Sequence, residues 1–257
     1  MNEEQKFAAF KRFHDKEDIV EEVIREFYTS FLSKNTSIAI DGGSHKGFHT
    51  LPLTQCCKHV VGIDANADMC AALQSQLHTA KISNCSIFHA ALQDDENLSN
   101  VTFYVSEKFL GRSSLTRLWN AIDSNVTYHP VTVPATTLDR LSDQLQLDSV
   151  DFIKLDLEGG EYRALLGARR ILARHRPLLV MENSIHAAKQ GGFAETDPFD
   201  FLTREGYILV APDGSTVRRD RLFPFWYVFG IPSEKLSRYG AAVSDAYRKV
   251  CEQYCVW

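Results

Sequence analysis

Four short segments carry side chains able to do chemistry: Asp41, Gly43 and Gly47 in IDGGSHKGFHT, Asp64 at the end of HVVGID, and Asp156, Glu158, Glu182 and His186 in LDLEGG and VMENSIH. Each follows an apolar run that reads as a buried strand, so each sits where a strand ends and the chain turns. The first segment has the pattern D-x-G-x-x-x-G, which brings a carboxylate and a closely approaching backbone into one turn. It lacks the G-x-G-x-x-G spacing that a nicotinamide dinucleotide needs. A carboxylate there suits a cationic ligand better than a pyrophosphate.

An acidic residue at the end of the next strand can accept both hydroxyls of a ribose, which is one reading of Asp64. The other is a helix N-cap before Ala65-Asn66-Ala67. Taken with Asp41 and Gly43, the pair favours adenosine with a positively charged amino-acid tail, that is, S-adenosylmethionine. Ser44, His45, Gly47, Thr50 and Ala65 complete the candidate cofactor set on these turns. Ala91, beside Ala90 in FHAALQDD, offers a small surface for a flat adenine, although a strand-to-turn transition needs the same small residues.

Methyl transfer from a sulfonium is an in-line displacement, so a protein must align the acceptor oxygen and take its proton. Asp156 and Glu158 end one strand, while Glu182, Asn183 and His186 follow the next. Lys154, Asp156 and Glu158 share one side at period two, and charges on a central strand are either paired or at work. His186 suits general-base work by its ordinary pKa, with Asp156 orienting the acceptor and Glu158 and Glu182 completing the catalytic set. A solvated loop histidine is the alternative for His186. The same carboxylates can hold magnesium, which the sequence does not distinguish from a metal-free site, and no metal is assigned. His49, at a helix start, reads as structural.

The elements that position these residues alternate. After a helical preface whose stripe runs Phe7, Phe10, Phe13, Ile19, Val20, Val23, Ile24, Phe27, Phe31 and Leu32, short β-branched runs alternate with amphipathic stretches near 47–56, 66–79, 160–173 and 197–205. That order implies parallel pairing with right-handed crossovers, a doubly wound α/β sheet. Two further β-like runs, VTFYV and VTVPATTL, flank a long polar segment at 106–129 where Arg112 and Trp119 are candidate acceptor contacts. The expected division is an N-terminal helical extension at 1–35, an α/β domain at 36–232 and a C-terminal helix at 233–257.

Composition excludes several classes. The 257 residues are 44% hydrophobic and 24% charged with a net charge of −5, which suits a soluble globular chain and argues against a generally basic nucleic-acid surface. The run Arg218-Arg219-Asp220-Arg221 reads as a solvated turn able to meet a phosphate. No secretory signal or membrane span is visible, and six cysteines without a C-x-x-C pair read as reduced thiols, which points to the cytoplasm. Nothing in the chain excludes a homodimer.

IDGGSHKGFHT, TTLDRL at 136–141, VDFIKLDLEGGEYRALLGA at 150–168 and RPLLVMEN at 176–183 together resemble the FkbM family of S-adenosylmethionine-dependent methyltransferases. The segment Asp156-Leu157-Glu158-Gly159-Gly160-Glu161 is the most specific part. The resemblance implies a Rossmann-like class I methyltransferase fold and O-methylation of a small-molecule hydroxyl on a sugar or glycosylated natural-product intermediate. Gly43-Ser44-His45 departs mildly from the Gly-Ala-Asn or Gly-Ala-His of many relatives. An RNA ribose 2′-O-methyltransferase and a non-catalytic S-adenosylmethionine-binding protein are the alternatives.

Overall fold

The computed structural model describes residues 17–107, 110–116, 127–183, 191–222 and 226–254. Helix α1 (Glu17–Thr29) precedes β1 (Ile38–Gly42), α2 (Thr50–Cys56), β2 (His59–Asp64), α3 (Ala67–Thr79) and β3 (Cys85–His89). Next come β4 (Ala91–Leu92), β5 (Asn100–Ser106), β6 (Tyr128–Thr136), α4 (Leu138–Leu145) and β7 (Phe152–Leu155). The chain continues through α5 (Glu161–Leu166), α6 (Arg169–His175), β8 (Leu178–Glu182), α7 (Asp197–Arg204), β9 (Tyr207–Val210), β10 (Tyr227–Pro232) and α8 (Leu236–Tyr254).

Seven strands form one sheet in the order β3-β2-β1-β7-β8-β10-β9, parallel except for β10, which runs antiparallel to both its neighbours. The alternation of strands and helices therefore builds the doubly wound sheet it predicts. Successive side chains point to opposite faces, and the two cores follow that parity. Ala39, Phe152, Val180 and Phe229 pack with α1, α2 and α8, whereas Ile40, Ile153, Leu179 and Val228 pack with α4 to α7. The two β-like runs form a separate small sheet, β4-β6-β5, beside the main one.

Local chemistry moves some boundaries. The helix expected from 47 starts at Thr50, because His45 and Gly47 take left-handed φ of 43° and 85° and turn the chain first. The helix expected over 160–173 divides at Gly167, where a Cβ would come within 2.1 Å of the Gln93 carbonyl oxygen. Asp139 then caps α6 from outside it by accepting the Arg170 and Ile171 amides, each at 2.9 Å. β3 ends at His89, and Ala91 leaves the main sheet to pair with Ala135 in the small one.

In the Arg218–Arg221 turn Arg218 pairs with Asp220 and Arg219 with Asp200 of α7. The five described cysteines are free thiols, and Cys251 packs in the core beneath α8 while Cys255 lies outside the described residues. Among the described residues no helix is long and apolar enough to cross a membrane.

Candidate active site

In a parallel sheet the ligand cleft lies beyond the carboxyl ends of the strands. β1, β2, β7 and β8 end there, and antiparallel β10 begins there. A cavity of about 560 Å³ opens at that edge. Parity decides what faces it. Asp41 follows Ala39, Lys154 follows Phe152, Glu182 follows Val180 and Tyr227 precedes Phe229, so all four point to the α1 side of the sheet. Asp41 and Lys154 are cross-strand partners, as are Glu182 and Tyr227.

Asp41 is 1% exposed, with Oδ2 accepting the Thr50 hydroxyl at 2.6 Å and Oδ1 buried without a partner. A buried carboxylate oxygen with no donor calls for a cationic or donor group from a ligand. Ser44 Oγ and His45 Nε2 are also buried and unpartnered beside it. Burial pulls the His45 imidazole below its ordinary pKa, with the Asp64 charge opposing.

Asp64 is not the cap of α3. Asn66 is, its side chain accepting the Asp68 and Met69 amides. Asp64 instead lines the cavity and accepts the His45 amide at 2.8 Å on one oxygen and the Asn66 amide at 2.7 Å on the other, which leaves each oxygen with further acceptor capacity. Burial raises its carboxyl above the usual range. Two acceptor oxygens on one rigid carboxylate suit a vicinal diol. With the unpartnered Asp41 oxygen, the set fits a ligand bearing a ribose and a cationic tail.

Asp156 and Glu182 share the other end of the cavity. Asp156 Oδ2 lies 3.0 Å from Lys154 Nζ and 2.9 Å from the Tyr227 hydroxyl. The Lys154 to carboxylate ion pair is therefore present. Burial disfavours the Lys154 ammonium, but the charges of Asp156, Asp41 and Glu21 outweigh that and raise its pKa. Glu182 Oε2 is buried without a partner. Burial, then the charges of Glu161, Glu158 and Asp156, pushes its carboxyl well above the ordinary range. Glu158 lines the same cavity at φ 50°, on the turn after β7 rather than in strand register with Lys154.

Three residues expected at the cofactor lie off the cavity wall. Gly47 turns the chain toward α2 under Leu73, Thr50 holds Asp41 from behind, and Ala91 is buried in the small sheet against Phe103 and Val133. Gly43, Ser44, His45, Asp64 and Ala65 do line it. The missing Gly43 Cβ serves the fold, since it would stand 1.8 Å from the Asp156 carbonyl oxygen. His186 and Trp119 lie outside the described residues. Arg112 lines the cavity from the inserted segment.

Sequence reasoning missed Glu21, Phe48 and the pair Trp226-Tyr227, and read His49 as structural only. All five line the cavity. Phe48 and Trp226 are each 52% exposed at its mouth, unusual for large apolar side chains. Glu21 comes from α1, where helical periodicity gives an acid beside an apolar stripe no special mark. Tyr227 reaches the ligand edge only because β10 is antiparallel, which its sequence does not announce.

Against known proteins, the family described as Methyltransferase FkbM domain matches residues 41–209. No curated protein matches the chain. Among solved structures, a methyltransferase FkbM from Methylobacillus flagellatus is 19% identical with a TM-score of 0.48, over 78% of this chain and 44% of that one. This chain thus spans less than half of that relative's length. A Streptococcus mutans protein described as a methyltransferase and solved with S-adenosylhomocysteine is 15% identical with a TM-score of 0.45, over 81% and 96%. An rRNA methylase from Streptococcus thermophilus is 13% identical with a TM-score of 0.42, over 81% and 93%.

Proposed function

The chain belongs to the FkbM family of S-adenosylmethionine-dependent methyltransferases, and we propose that it is an O-methyltransferase acting on a hydroxyl of a small, carbohydrate-containing acceptor. S-adenosylmethionine supplies an electrophilic methyl group when bound. Asp41 would meet its cationic amino-acid end, with Ser44 and His45 beside it, and Asp64 its ribose hydroxyls.

One observation carries the reading: Asp156 and Glu182, two carboxyl groups in one cavity, stand in different surroundings, Asp156 Oδ2 against Lys154 and Tyr227 and Glu182 Oε2 buried without a partner. Two such carboxyls take different roles in acid–base chemistry. Lys154 and Tyr227 compensate the charge of Asp156, which stays available to take the acceptor's proton. Glu182 works as the neutral acid, donating a hydrogen bond that orients the acceptor oxygen. Phe48 and Trp226 at the mouth offer faces on which the CH side of a sugar stacks. Besides the neutral Glu182, five carboxyl groups against the fixed cations Lys154 and Arg112 line the cavity, which weighs against a polyanionic acceptor such as RNA.

Turnover of S-adenosylmethionine to S-adenosylhomocysteine with a panel of sugars and glycosides, each product checked for one added methyl, tests this. A deoxy analogue of a working acceptor must be inert. Turnover on amines with every hydroxyl blocked would overturn O-methylation.

A further inference from the structure

Val20, Val23, Ile24 and Phe27 press α1 onto the sheet and so fix Glu21, 13% exposed, at the cavity wall. Its Oε2 contacts His49 Nε2, and its Oε1 lies 2.9 Å from the Tyr227 hydroxyl. The same hydroxyl lies 2.9 Å from Asp156 Oδ2. A phenol has one hydrogen, so it serves one of the two carboxylates at a time. With both carboxyls ionised it faces two acceptors with one hydrogen, so a proton gained by either carboxyl sends the phenol hydrogen to the other.

We propose that Tyr227 is a two-position hydrogen-bond switch and that Glu21 is the positioning residue that provides its second position. At rest the Tyr227 hydroxyl donates to Asp156. When the acceptor's O–H bond breaks and its hydrogen bonds to Asp156 Oδ2, that carboxyl donates to the Tyr227 oxygen, and Tyr227 turns its own hydrogen to Glu21 Oε1. Every proton is accounted for, and the extra one leaves to water as Asp156 is reset. This rests on the assignment of Asp156 as the proton acceptor.

The surroundings favour the switch. Burial works against an ionised Glu21, but the His49 contact and the Lys154 charge overcome it and hold its carboxyl at about 2, so Glu21 remains an acceptor. Burial, with the charges of Asp156 and Glu21, keeps the Tyr227 phenol protonated. Lys154 Nζ holds Asp156 Oδ2 at 3.0 Å and lies 5.7 Å from the centre of the Tyr227 ring. Glu21 and Tyr227 both fall outside the family match at 41–209.

The test uses the full chain, an acceptor found by the screen above, and the variants Glu21→Leu, Tyr227→Phe and their combination. Each single change should lower kcat about ten- to a hundredfold, the scale of one hydrogen bond to a charged group, with acceptor KM and cofactor affinity unchanged. The double variant should be no worse than either single, because both remove one device. Additive losses, or an unchanged kcat in either single variant, would overturn the proposal. In tyrosine labelled at Cζ with carbon-13, Glu21→Leu should move the Tyr227 resonance and leave distant tyrosines in place, which shows an intact fold. An unmoved Tyr227 resonance would also overturn it. Normal kcat in Asp156→Asn sinks the assignment of the proton acceptor. A large loss there with silent Glu21 and Tyr227 variants sinks the switch alone.

Discussion

Asp64 Oδ2 accepts the His45 amide at 2.8 Å, so the carboxylate ending β2 pins the turn that follows β1. One side chain therefore shapes one ligand loop while facing the ligand itself. Asp64→Ala should weaken S-adenosylmethionine binding by about tenfold or more, the scale of lost charge-assisted hydrogen bonds. Asn66→Ala should instead cost about 1 kcal/mol of stability as a lost helix cap, with a smaller change in cofactor affinity. Calorimetry with denaturant unfolding separates the two, and equal cofactor affinity in wild type and Asp64→Ala would remove Asp64 from the ligand.

Asp156→Asn should lower kcat by about two to four powers of ten with cofactor affinity retained. Glu182 behaves differently because its carboxyl is raised, by burial first, and works in the protonated state. Activity should fall as pH rises through that pKa. Glu182→Gln, neutral at every pH, should keep most activity near neutrality and lose that falling limb. A collapse of kcat in Glu182→Gln, or in His186→Gln with Asp156→Asn nearly normal, would move the proton to that residue.

Gly43→Ala should be among the most damaging small changes in the chain. At φ 84° an L side chain is strained, and its Cβ would stand 1.8 Å from the Asp156 carbonyl oxygen, forcing the turns after β1 and β7 apart. The expected cost is about 3 kcal/mol or more in urea unfolding, with weaker cofactor binding. Gly111→Ala is the control, since nothing lies within 4 Å of its Cβ position.

Glu161 gives a pH signature in stability. Its Oε1 accepts the Leu157 amide at 2.6 Å, and burial, partly offset by such amides, pushes its carboxyl up to about 7 from an ordinary 4.5. A folded pKa above the unfolded one means a contribution present in full below 4.5 and lost as pH rises through 7. Melting temperatures of Glu161→Gln and wild type should therefore differ in slope across that window, the variant being flatter. Parallel curves would place the Glu161 pKa near its ordinary value.

Much of the fold was legible because its signals are local. Period-two runs such as HVVGID and FIKL, with turn residues after each, place the strands and their order of alternation. The same parity puts Lys154 and Asp156 together, and the chemistry of strand ends brings Asp41 and Asp64 to one edge. Long-range register was not legible. Nothing near Tyr227 says that its strand runs backwards, and nothing near Glu21 says that α1 lies over the carboxyl ends of the sheet. Gly47, Thr50 and Ala91 lie off the cavity wall for the opposite reason, because proximity in sequence to a ligand turn does not make a wall residue when the chain folds behind it.

β10 fills the slot between β8 and β9, though both are made before it. During synthesis from the N-terminus, the facing edges of those two strands have no partner until residue 232 is available to pair. Two unpaired edges are an invitation to other chains, so the interval before β10 docks is when this protein is most exposed to aggregation. A ribosome pause after β10 has emerged would shorten the hazard, whereas one just before it would lengthen it. Because Trp226 and Tyr227 arrive with that strand, the cavity too is incomplete until then.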